Sequence, residues 1–85
     1  MNLTDVQDQA IQPRMALIVG AKTFDRLFAG VRFDEVGGDL LFVYAKDENC
    51  AAQIEDTYAL HISIIATDIL KRDVGIVLVL PKVLQ

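Results

Sequence analysis

The chain has one cysteine, one histidine and no tryptophan in 85 residues, and these shortages remove most catalytic chemistry before any motif is considered. Cys50 alone cannot close an internal disulfide, and with His61 as the sole histidine no zinc-type ligand set can be assembled. A nucleophile and its base would have to be this pair. Both fall in one stretch that reads as helix, where eleven residues separate them by roughly 16 Å along the axis. They cannot touch, so Cys50 reads as a buried thiol and His61 as a packing or edge residue. Basic residues are also few and scattered: Arg14, Lys22, Arg26, Arg32, Lys46, Lys71, Arg72 and Lys82 stand against 12 acids, for a net charge of −4. That dispersal lacks the dense patch on which phosphate-backbone affinity rests, so direct nucleic-acid binding is not expected. Apolar runs such as Ile76 to Pro81 are far too short to span a bilayer, and no charged-then-apolar leader opens the chain. The expectation is a cytoplasmic protein with no membrane association.

What is present is apolar and periodic. Hydrophobic residues make up 53% and charged residues 24%, a balance that can offset chain entropy, so a single small domain with one core is expected. From about Asp47 to Leu70, Ala51, Ile54, Tyr58, Ile62, Ile65 and Ile69 recur at three- and four-residue spacing and mark one face of a long helix. Lys71 and Arg72 follow where the negative end of a helix favours cations.

Thr4 and Gln7 have the spacing of a capping box, so a first helix is expected over about 5–19, with Pro13 either kinking it or restarting it. Gly20 suits its end. A second helix is expected over 22–29, with Phe24, Leu27 and Phe28 on one side and Gly30 as terminator. Strands are expected at 31–36, 39–46 and 74–80. A tight turn at Gly37-Gly38 pairs Val36 with Asp39, Phe33 with Phe42 and Val31 with Tyr44. One sheet face then carries Val31, Phe33, Leu40, Phe42 and Tyr44, and the other carries Val36, Leu41, Val43 and Ala45. The third strand runs parallel to the second, because a helix returns the chain between them; which strand it borders is open. The helices can cover one face only. The apolar face left over is either a partner surface or is closed by the N-terminal segment or the Val83-Leu84 tail.

The other chemical motifs weigh little. Gly20-Ala21-Lys22-Thr23 resembles the end of a phosphate-binding loop but lacks its earlier glycine and follows a helix, so it reads as an inter-helix turn. The acid pairs Asp34-Glu35, Asp47-Glu48 and Glu55-Asp56 diverge on helix or strand and read as solvated charges. Catalytic residues, metal and cofactors are therefore expected to be none. A GxxG nucleotide clamp is absent between the first helices.

The run Phe24-Asp25-Arg26-Leu27-Phe28-Ala29-Gly30-Val31-Arg32, the hairpin, Leu41-Phe42-Val43-Tyr44-Ala45-Lys46-Asp47 and Ile54-Glu55-Asp56-Thr57-Tyr58-Ala59-Leu60-His61-Ile62 together resemble the N-terminal domain of the bacterial replication initiator DnaA. That family shows a short Phe-x-x-Trp-Phe/Ile helix, a hairpin, an Ala-Pro-Asn turn and a long helix with a Tyr shortly before an Ile. Here Leu27 stands for the Trp and Lys46-Asp47 for the Pro-Asn, with Asp47 still able to cap. The resemblance implies an α+β, KH-like α-α-β-β-α-β domain with a three-stranded mixed sheet on helices. It also implies a non-enzymatic protein–protein interaction role in replication initiation: self-association as a homodimer, or binding of the initiator, the replicative helicase or a regulator.

In the family's register Leu41, Val43 and Ala45 face the helices, and Phe33, Phe42 and Tyr44, with Val31, line the open face as a partner surface. Thr23 and Asn49 stand where relatives carry helicase-contacting residues. The family's ATPase and DNA-binding modules do not follow, which implies a stand-alone homologue or an excised domain. A small KH-like nucleic-acid-binding protein is the other reading.

Overall fold

A computed structural model of the chain describes residues 1–82. Its helical layer comprises α1 (Asp5–Val19), the single turn α2 (Ala21–Thr23), which runs directly into a π-helical turn (Phe24–Phe28), and α3 (Glu48–Leu70). Its sheet is built from β1 (Arg32–Gly37), β2 (Leu40–Ala45) and β3 (Ile76–Pro81). The architecture is α+β, a mixed three-stranded sheet packed on helices, in the α-α-β-β-α-β order expected from the sequence.

The local signals explain the helix ends. Thr4 and Gln7 close a reciprocal box: the Gln7 amide N–H donates to the Thr4 hydroxyl oxygen at 3.1 Å, and the Thr4 N–H donates to Gln7 Oε1 at 2.9 Å. α1 then continues through Pro13 without restarting. Pro13 and Gln9 are both exposed, so the carbonyl left without a donor one turn back faces water. Asp47 caps α3, its carboxylate accepting the Cys50 N–H at 2.8 Å. Lys71 ends that helix in the left-handed conformation, at φ 56°. Beyond it Val74 is pinned to α3: its N–H donates to Thr67 Oγ1 at 3.0 Å and its carbonyl accepts the Ser63 hydroxyl. That contact sets where β3 begins.

β2 is the central strand, antiparallel to β1 and parallel to β3, so the sheet order is β1-β2-β3. The hairpin register departs from expectation. The turn residues are Gly38-Asp39 and Gly37 pairs with Leu40; Val36 pairs with Leu41, Glu35 with Phe42, Phe33 with Val43 and Arg32 with Tyr44. A bulge lies between Phe33 and Glu35, leaving Asp34 the extra residue. It resets the alternation, so Phe33 and Val36 both turn toward the helices, at 0% and 1% exposure. An unbulged strand would have sent one of them out.

The core lies between the layers, where Ile11, Met15, Phe28, Phe33, Leu41, Val43, Ile54 and Ile62 are fully buried. The long apolar face of α3 covers β2 and β3, and α1 packs on α3 and on β1. No buried side-chain nitrogen or oxygen lacks a hydrogen-bond partner among the described residues. The Val83-Leu84 tail, expected as a possible cover for the sheet, lies outside them.

Candidate protein interface

Among the described residues the helices pack on the face of the sheet that carries the buried side chains, and the opposite face of β2 and β3 is paved with apolar side chains. β2 alternates half-buried and buried residues along its length, with Leu40, Phe42 and Tyr44 outward and Leu41, Val43 and Ala45 inward. β3 does the same in register, pairing Leu40 with Ile76, Phe42 with Leu78 and Tyr44 with Leu80. Six apolar residues thus form two matched rows. None of the six belongs to the buried core cluster, and Ile76 is 56% exposed. The other five are half-buried.

The flanks of this face are charged. β1 contributes Arg32, opposite Tyr44, and Glu35, opposite Phe42. Arg32 reaches over the strand edge into a cluster of acids, with Asp34 Oδ1 at 3.2 Å, Asp5 Oδ1 at 3.3 Å and Asp8 Oδ2 at 4.0 Å. The hydrogen bond to Asp34, then that to Asp5, raise its pKa further, so it stays a fixed cation. Lys46 and Lys82 follow the ends of β2 and β3, while Asp39 and Asp73 lie beyond their starts.

Of the residues expected to line this surface, Phe42 and Tyr44 are on it. Phe33 and Val31 are not: Phe33 is enclosed under the helices and Val31 is 6% exposed. The cause is the bulge: the hairpin turn, one residue later than the two glycines suggest, would by itself leave Phe33 opposite Tyr44 on the open face. Thr23 is half-buried in α2 and Asn49 is exposed in the first turn of α3, both in the helical layer and away from the open face. The sequence reading also missed Ile76, Leu78 and Leu80 as members of the site, although their alternation is visible in Ile76-Val77-Leu78-Val79-Leu80. What it lacked was the neighbour of β3, since only adjacency to β2 turns two short rows into one patch.

No family model matches the chain, and no curated protein matches it.

The chemistry available elsewhere is limited. Cys50 is buried, its thiol directed at the Arg26 carbonyl at 3.7 Å, and desolvation followed by the neighbouring Asp47 carboxylate pushes its pKa up. His61 is exposed on α3, edge-on to Tyr58 with ring centroids 6.1 Å apart. Among the described residues no three His, Cys, Asp or Glu side chains gather to hold a metal ion, and the surface has no pocket. No helix among them is long and apolar enough to cross a membrane. Five further exposed apolar side chains, Val6, Leu17 and Ile18 on α1 and Leu60 and Ile64 on α3, are on helices rather than on the sheet.

Proposed function

We propose that this chain is a non-enzymatic protein-interaction module that docks a protein partner on the open face of its sheet, in the cytoplasm. The carrying observation is the pair of apolar rows, Leu40-Phe42-Tyr44 and Ile76-Leu78-Leu80, on the side that none of the described helices covers. An uncovered apolar patch of this kind on a small domain marks an interaction surface, because a sheet face meant for water alternates to polar residues. The net charge of −4 and the scattered cations weigh against a nucleic-acid backbone as the occupant. The resemblance to the initiator's N-terminal domain nominates replication initiation as the setting. A second copy of the chain, the initiator itself, and the replicative helicase are the partners to try first.

The test compares wild type, Phe42→Asp and Leu60→Asp. Leu60 is 70% exposed on the outer side of α3 and controls for adding a charge to an exposed apolar position. Sedimentation equilibrium of each alone, and titration with the purified initiator domain and helicase, should show association by wild type and Leu60→Asp that Phe42→Asp loses while keeping its circular dichroism. Wild type that is monomeric at high concentration and binds neither protein refutes the proposal. So does binding to single-stranded oligonucleotides that weakens with salt.

A further inference from the structure

β3 is an edge strand, and an edge offers unpaired N–H and C=O groups to any extended chain that meets it. Its inward donors are identified by their bonds: the Ile76 N–H donates to the Asp39 carbonyl at 3.1 Å and the Lys82 N–H to the Ala45 carbonyl at 2.8 Å. Alternation along the strand therefore turns the backbone of Val77, Val79 and Pro81 outward. Pro81 has no N–H to offer. The Val79 N–H is already taken by Glu55 Oε1 at 2.9 Å, a carboxylate that reaches round the strand edge from α3. Val77 is left as the outward donor, too little for a ladder.

The opposite edge is closed in the same manner. The Phe33 N–H is bound by the Asp8 carboxylate at 2.8 Å, and the Val31 carbonyl by Gln12 Nε2 at 2.7 Å. Further along, the Leu3 N–H donates to the Asp34 carbonyl at 2.7 Å and the Val36 N–H to the Met1 carbonyl at 2.8 Å. Each rim of the sheet is thus sealed by a carboxylate from the helical layer, helped on one side by an extra segment and on the other by proline.

We infer that Glu55 and Pro81 are edge-closing residues, whose task is to deny β3 to strand addition by a second copy of this chain. Two β3 edges related by a two-fold axis would otherwise pair antiparallel into a six-stranded sheet, since the three outward positions would supply both donors and acceptors. This inference holds whatever the open face binds.

The test uses the full 85-residue chain as wild type, Glu55→Ala, Glu55→Gln, Pro81→Val and the Glu55→Ala/Pro81→Val double variant. Sedimentation velocity over a wide concentration range reads the self-association constant, and amide hydrogen exchange reads Val77 and Val79. The double variant should self-associate at least roughly tenfold more tightly than wild type, the effect of one to two freed backbone hydrogen bonds. Its Val77 and Val79 amides should gain protection as concentration rises. Glu55→Gln retains an acceptor oxygen and should match wild type. Should Glu55→Ala fail to fold, Pro81→Val alone must show a smaller tightening with the same amide signature. A folded double variant that associates no more tightly than wild type overturns the inference. Association that leaves those two amides unprotected does so too, as does Glu55→Gln behaving like Glu55→Ala.

Discussion

The carboxylate of Asp8, on α1, accepts the backbone N–H of Phe33, on β1, at 2.8 Å. The same oxygen accepts Gln12 Nε2 at 3.2 Å, so one buried acid joins the first helix to the sheet. It is the one buried charged residue among those described, and its bond to the Phe33 N–H satisfies a backbone donor of a fully buried residue.

Asp8→Ala leaves the Phe33 N–H buried without an acceptor and should lower unfolding free energy by ~1–3 kcal/mol. Asp8→Asn keeps a carbonyl oxygen in place and should cost clearly less. Urea denaturation followed by circular dichroism separates the two; equal losses would mean that charge, not the hydrogen bond, is what matters.

Phe33 and Phe42 should respond oppositely. Phe33→Ala empties a fully enclosed ring site and should cost about 3–5 kcal/mol, enough to unfold much of a domain this small. Phe42→Ala removes a half-buried ring from the open face and should cost much less. Thermal melts of both variants check the assignment of faces directly; similar losses would contradict it.

Acid should weaken the fold through two carboxylates. The backbone N–H of Cys50 holds the Asp47 pKa below the usual carboxylate value, and the Arg14 guanidinium, 2.5 Å away, does the same for Asp68. Groups depressed in the folded state contribute stability that is fully present above their unfolded value and lost as pH falls through the folded one. The urea midpoint should therefore hold from neutrality and drop below about pH 4. Asp47→Asn, which can still cap but cannot titrate in this range, should make that drop shallower.

Lys71 is the one non-glycine residue at positive φ among those described, at φ 56° and ψ 38°. Its partner across one turn is exposed Asp68 at 3.6 Å, a pair worth little in water. Lys71→Gly relieves the left-handed backbone penalty and should raise stability by ~0.5–1 kcal/mol, read as a higher urea midpoint.

The elements were legible from the sequence because each carries its own local marks. The Thr4–Gln7 box, the Asp47 cap, the spacing from Ala51 to Ile69 and the β-favouring apolar run from Leu40 to Ala45 all act within a few residues, and each reappears in the structure. The parallel run of β3 also followed, from the returning helix. What could not be read depended on partners distant in the chain. Asp8 looks like any first-turn acid until β1 brings the Phe33 N–H to it, and Glu55 looks like a surface charge until β3 passes beneath. The bulge at Asp34 has no compositional signature, and a pair of glycines is a stronger turn signal than Gly38-Asp39. Two of the four strand residues expected on the open face, Val31 and Phe33, were misplaced because of that bulge.

That single irregular residue acts as a sorting key for the molecule's exterior. With it in place, β1 shows a guanidinium and a carboxylate beside the greasy rows and keeps its phenyl ring inside. A chain shortened by one residue there would have to turn either Phe33 or Val36 toward the solvent. Insertions and deletions near residue 34 are thus a route by which related sequences could change what they adhere to while leaving every helix and every strand where it is.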